Sequence, residues 1–173
     1  MQSSQESQEF QELLNEHGRK GLCDYAASVG RLDVLQWART LTPKCPWNKE
    51  TCAIAAANGH LDILKWAFDN GCTMSRRETC VAAAYDGHLH ILKWFHTRNI
   101  VIHPDTCDIA ACHGHLHIIV WLKENEHVWH TTNTCSEAAY GNQFHILKWL
   151  KANDCYMDES TFLNAARFGH LND

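Results

Sequence analysis

The sequence predicts an all-α solenoid, a stack of helix–turn–helix repeats, and three observations carry the prediction. Segments fall into register as AASVGRLDVLQW, AAANGHLDILKW, AAYDGHLHILKW, AACHGHLHIIVW and AAYGNQFHILKW, with a final AARFGHLND. Trp37, Trp66, Trp94, Trp121 and Trp149 recur at intervals of about 28 residues, a period typical of stacked repeats. An alanine pair also stands at one point of every unit, from Ala26 and Ala27 to Ala165 and Ala166. Side chains that small allow two helices to approach closely.

The elements follow in order. Residues 1–9 are polar and of low complexity and read as a disordered tail. Phe10, Leu13, Leu14 and His17 then keep an i, i+3, i+4, i+7 spacing up to Gly18, so residues 10–20 read as a helix capping the first repeat. Residues 21–173 form the array, about five and a half repeats with the last one truncated. A first helix begins near Glu50, Glu78, Asp105, Asn133 or Ser160, each followed by threonine. It ends at Gly30, Gly59, Gly87, Gly114 or Gly169, with Asn142 in that place in the fifth unit, where a left-handed residue stops a helix. The second helix carries Leu61, Ile63, Leu64 and Trp66, or Leu89, Ile91, Leu92 and Trp94, a wide apolar face that places the tryptophan column in the core. A turn at Gly71, Asn99, Glu126 or Asp154 follows, and Met74, Ile102, Trp129 and Met157 then sit at the seam between units. Nothing polar closes the last unit, which leaves Phe162, Leu163 and Leu171 at an edge open to self-association.

Composition narrows the function. The formal charge is −5 and the adjacent basic pairs are Arg19–Lys20 and Arg76–Arg77, too sparse for a nucleic-acid surface. No apolar run approaches membrane-spanning length, and MQSSQESQEF lacks the apolar core of a secretory leader, so the expected setting is intracellular, with neither nucleic acid nor membrane as partner. Nine cysteines in such a setting are expected to be buried thiols.

The stretches TCAIAAANGHLDILKWAFDNG (51–71) and TCVAAAYDGHLHILKWFHTRN (79–99) resemble the ankyrin-repeat pattern T-P-L-H-x-A-A-x-x-G-H-L-x-x-x-x-x-L-L-x-x-G, and the likeness extends over residues 21–173. The short, Cys- and Trp-rich form is similar to arrays encoded by large DNA viruses and some protists. Two features depart from the family. The unit is about five residues shorter than the usual 33 or so, and the loss falls where Gly71 to Glu78 leaves only CTMSRR. The resemblance therefore implies an ankyrin-like solenoid with shortened or absent β-hairpin fingers. The TPLH tetrapeptide is also missing, so the role of its histidine is not carried over. The likeness implies a non-enzymatic protein–protein interaction scaffold without cofactor, in the cytoplasm, or in a host cytoplasm if the chain is viral.

CHGHLH (112–117) gathers four metal-ligand types in six positions, yet the register takes the cluster apart. His115 shares its column with His60, His88, His170, Arg31 and Gln143, and His117 shares one with Asp33, Asp62, His90 and His145. The main cysteine column (Cys23, Cys52, Cys80, Cys107, Cys135) ends in Phe162, which favours apolar volume over a thiolate. No CxxC, HExxH or HxE…PCxxC spacing is present, so no metal ligands and no catalytic residues are assigned. A metal-binding or pH-responsive edge at His88, His90, His115 and His117 is the alternative reading. The leading one is another protein bound by the variable turns and the first-helix face. Its candidate residues are Trp47, Asn48, Lys49, Arg76, Arg77, Tyr85, His103, Asp105, His113 and Tyr140, each otherwise an ordinary solvated turn or helix-end position.

Overall fold

The computed structural model of the chain describes residues 2–127 and 131–155, together with 157, 159, 161 and 163. These residues form helices and no strand, and they divide into two compact units, Met1–Ser75 and Arg76–Asp173. The first contains α1 (Gln2–Val29), α2 (Leu32–Thr40), α3 (Lys49–Ala57) and α4 (Leu61–Asp69). The second contains α5 (Arg76–Tyr85), α6 (Leu89–Thr97), α7 (Asp105–Cys112), α8 (Leu116–Glu124), α9 (Thr131–Tyr140) and α10 (Phe144–Ala152).

Each odd-numbered helix pairs with the helix after it as a hairpin, and within each unit the first helices of successive hairpins also pack on one another: α1 on α3, α5 on α7, α7 on α9. The alanine pairs make this approach possible, since Ala26, Ala27, Ala55, Ala56, Ala83, Ala84, Ala110 and Ala111 are fully buried. The cysteine column lies beside them, with Cys23, Cys52, Cys80 and Cys135 inaccessible to solvent. Burial pushes the Cys80 thiol up to about 11 and the Cys23 thiol up to about 12, so both remain protonated packing groups at neutral pH.

The turns follow from backbone chemistry. Asn142 closes α9 with a positive φ of 58°, in the place that glycines occupy elsewhere. The turns after α4, α6, α8 and α10 are made at Gly71, Asn99, Glu126 and Asp154, all left-handed with φ between 54° and 81°, whereas α2 ends at Leu41 in an extended conformation. Connections after them are short turns, CTMS before α5 and residues 100–104 before α7, with no room for a projecting hairpin. Ile102 is buried at the seam, while Met74 and Met157 are half-buried.

Two sequence expectations change. The first helix starts at Gln2, not at Phe10, so residues 2–9 continue it in place of a disordered tail. Gln and Glu are good helix formers, and Gln8–Glu12 and Gln11–Asn15 bond across one turn of its exposed face. Gly18 interrupts this helix at φ 65°, ψ 167°, and Phe10 packs against Trp37 with ring centroids 5.4 Å apart. The tryptophan column is also less buried than its register suggests. Trp94 is 6 % exposed, but Trp37, Trp66, Trp121 and Trp149 are half-buried. The residue after each tryptophan takes the core position instead: Ala38, Ala67, Phe95, Leu122 and Leu150. The indoles lie along the hairpin edge, where an amphipathic ring covers apolar surface and keeps its rim in water. Finally, Leu163 is exposed, whereas Phe162, Leu171 and Trp129 lie outside the described residues.

Candidate interaction surface

The surface is built on the joints between hairpins, and the CHGHLH histidines belong to those joints. His115 Nε2 lies 2.9 Å from the Tyr85 carbonyl and His117 Nε2 lies 3.1 Å from the Gly87 carbonyl, both in the preceding hairpin. His60 reaches the Ser28 carbonyl in the same way at 3.3 Å, and Gln143 Nε2 reaches the Cys112 carbonyl at 3.4 Å. His60, His115 and Gln143 of this column thus share one task, to reach the end of the previous first helix, whereas Arg31 in the same column pairs with Asp33 and Glu9. Glycine precedes the joint for two reasons. Gly87 has φ +79°, and a Cβ there would meet the His115 ring at 2.8 Å. Among the described residues, no three or more His, Cys, Asp or Glu side chains converge to hold a metal ion.

A second joint runs through Thr51, Thr79, Thr106 and Thr134, all of them buried. Asn48 caps α3, accepting from the Glu50 and Thr51 amides while its own amide donates to Thr51 Oγ1. The Thr51 hydroxyl also donates to Asp24 Oδ1 at 2.6 Å, in the previous hairpin. Thr134 donates to Asp108 Oδ1 at the same distance. Where the preceding hairpin carries Val81 instead, the buried Thr106 hydroxyl has no nitrogen or oxygen partner among the described residues and sits beside the Cys80 thiol.

Val81 and Asp108 border a groove of about 280 Å³ along the first-helix face, lined by Arg77, Val81, Asp105, Asp108, Ile109, Asn133, Ser136 and Glu137. Three successive first helices contribute to it. Arg77 spans two of them, with Nη2 2.8 Å from Asp105 Oδ2, and His103 Nδ1 accepts from the Asp105 amide. At one end of the same helices, Tyr85 and Tyr140 are each 54 % exposed. The Tyr85 ring packs on His113 with centroids 3.8 Å apart. Burial, and next the neighbouring His115, hold His113 below the usual histidine range.

The ten candidate residues therefore separate into groups. Arg77 and Asp105 line the groove, His103 supports it, and Tyr85, His113 and Tyr140 lie on the ends of the helices that form it. Arg76 is exposed at the start of α5. Trp47, Asn48 and Lys49 belong to the other unit, where Trp47 lies under the Arg39 guanidinium at 4.1 Å and against Trp66 at 5.5 Å. Asn48 serves there as a helix cap and is a structural residue. Sequence reasoning missed the middle of the groove: Val81, Asp108, Ile109, Ser136 and Glu137. Their columns vary from unit to unit (Asp24, Ala53, Val81, Asp108, Ser136 in one), and that variation inside a helix was the available signal.

Comparison with protein-family models and with curated proteins returns no match. No helix among the described residues is long and apolar enough to cross a membrane.

Proposed function

We propose that the chain is an intracellular, ankyrin-like, non-enzymatic scaffold that binds another protein along the first-helix face of α5, α7 and α9. The observation that supports this reading best is the division of labour among columns. Alanine, cysteine and isoleucine repeat in the interior, whereas the groove is lined at equivalent points by Val81, Asp108 and Ser136, or by Ile109 and Glu137. A surface whose lining differs at each step offers a distinct chemistry to a partner, while the stack beneath it stays the same. The half-exposed Tyr85 and Tyr140 add aromatic anchors of the kind that carry binding energy in interfaces.

The test is affinity purification from the source cell with three baits: the native chain, Ile109→Arg in the groove, and Val120→Arg on α8 away from it. The expected outcome is a partner retained by the native chain and Val120→Arg and lost with Ile109→Arg, with helical circular dichroism unchanged. Equal retention by all three, or nothing above background with the native bait, contradicts the proposal.

A further inference from the structure

His96 and His127 come from successive hairpins, and each departs from its column. His96 stands where other units have Arg39, Phe68, Lys123 and Lys151, and His127 stands where they have Cys72, Ile100 and Cys155. The two exceptions touch. His96 Nδ1 lies 3.2 Å from His127 Nε2, with the rings at 82° and their centroids 5.1 Å apart. Trp121 flanks both, its ring 5.7 Å from His96 and 5.2 Å from His127. Unlike His115 and His117, whose Nε2 atoms face backbone carbonyls, this pair turns ring nitrogen to ring nitrogen.

We propose that His96 and His127 form a bidentate site for a borderline divalent transition ion, of the Ni(II), Cu(II) and Zn(II) class, held by Nδ1 of His96 and Nε2 of His127. Two imidazoles at metal–nitrogen distances of about 2.0–2.1 Å stand about 2.9 Å apart at a right angle and about 3.3 Å apart at the tetrahedral angle. The observed 3.2 Å falls between these values. Imidazole is the ligand type such ions prefer, and hard Mg(II) or Ca(II) would need oxygen donors in its place. The ion takes the place of the proton between the two facing nitrogens, and that proton moves to the other nitrogen of its ring, so both imidazoles bind as neutral ligands. The ion sits off the line joining the nitrogens, reached by a turn of rings at an exposed edge. Water completes the coordination sphere, which makes the site open and exchangeable.

The experiment uses the full, tag-free chain stripped with chelator and titrated with nickel chloride, which does not oxidise the thiols. Calorimetry at about pH 7.5 is expected to give one equivalent of bound nickel, removed again by added chelator. His96→Asn and His127→Asn should each weaken it about tenfold or more, because half of the protein ligands go, while His90→Asn leaves it unchanged. Paramagnetic broadening in the native chain supplies a readout independent of any variant, and the Trp121 indole resonance should broaden first. Nickel bound equally well by both asparagine variants, broadening centred elsewhere, or no binding by the native chain would each overturn the proposal.

Discussion

The joint between α5 and α7 and the joint between α7 and α9 use the same columns, and they part most clearly at the position of Val81 and Asp108. In the second, Asp108 accepts from the buried Thr134 hydroxyl at 2.6 Å. In the first, Val81 stands in the place of Asp108, and Thr106 keeps a buried hydroxyl with no oxygen or nitrogen partner among the described residues. Both Val81 and Asp108 also line the groove. One first-helix position therefore serves the stack and the surface together. Where it is valine, the surface gains an apolar point and the Thr106 hydroxyl is left beside the Cys80 thiol with no carboxylate to receive it. The interior columns, buried in both hairpins, are expected to outweigh this one hydrogen bond.

That ranking can be broken by substitution. Trp94→Ala should cost most, about 3–5 kcal/mol, because Trp94 is the buried member of its column. Trp121→Ala, at a half-buried site, should cost clearly less in the same urea titration. Equal losses would return the whole tryptophan column to the core. Gly87→Ala should cost about 1–3 kcal/mol, combining a left-handed backbone with displacement of the His115 ring from the Tyr85 carbonyl. A cost near zero would mean that the joint does not depend on that contact.

Thr134→Val should cost about 1–3 kcal/mol by removing a hydrogen bond from the buried Asp108, whereas Thr106→Val should be neutral or slightly stabilising. Similar losses at both positions would erase the contrast between the joints.

The smallest effect expected is that of pH. His113 and His127 are held below the usual histidine range, first by burial and then by a neighbouring histidine. Their unfolded forms therefore bind protons more readily than the folded ones, so their contribution to stability is present above about pH 6.5 and is lost as pH falls toward their folded values. Thermal melting between pH 7.5 and 5 should show a decline that His113→Asn and His127→Asn each reduce; a flat profile would remove the linkage.

Much of the fold was legible because some positions admit few residue types. A left-handed helix stop accepts Gly or Asn readily, so Gly87 and Asn142 could be placed from letters alone, and paired alanines announce a close helix contact. The depth of the tryptophans was not legible. An apolar column looks the same whether its rings are buried or lie along an edge, and the residues that fill the core beside them range in size from Ala67 to Phe95. The threonines read as helix-start residues, but their partners lie a repeat away, in a column that is aspartate only in some units. For the same reason Arg77 and Asp105 could be named from their turns, whereas Ile109 and Glu137 on an outward helix face resembled ordinary solvated positions.

The most direct test of the two-purpose position is the unfolding free energy of Val81→Asp by urea titration. If a carboxylate at this point latches the next hairpin, the variant gains about 0.5–1.5 kcal/mol through a new bond from the Thr106 hydroxyl, and Thr106→Val in the same background removes the gain. An unchanged or lowered stability with intact helical content would contradict it.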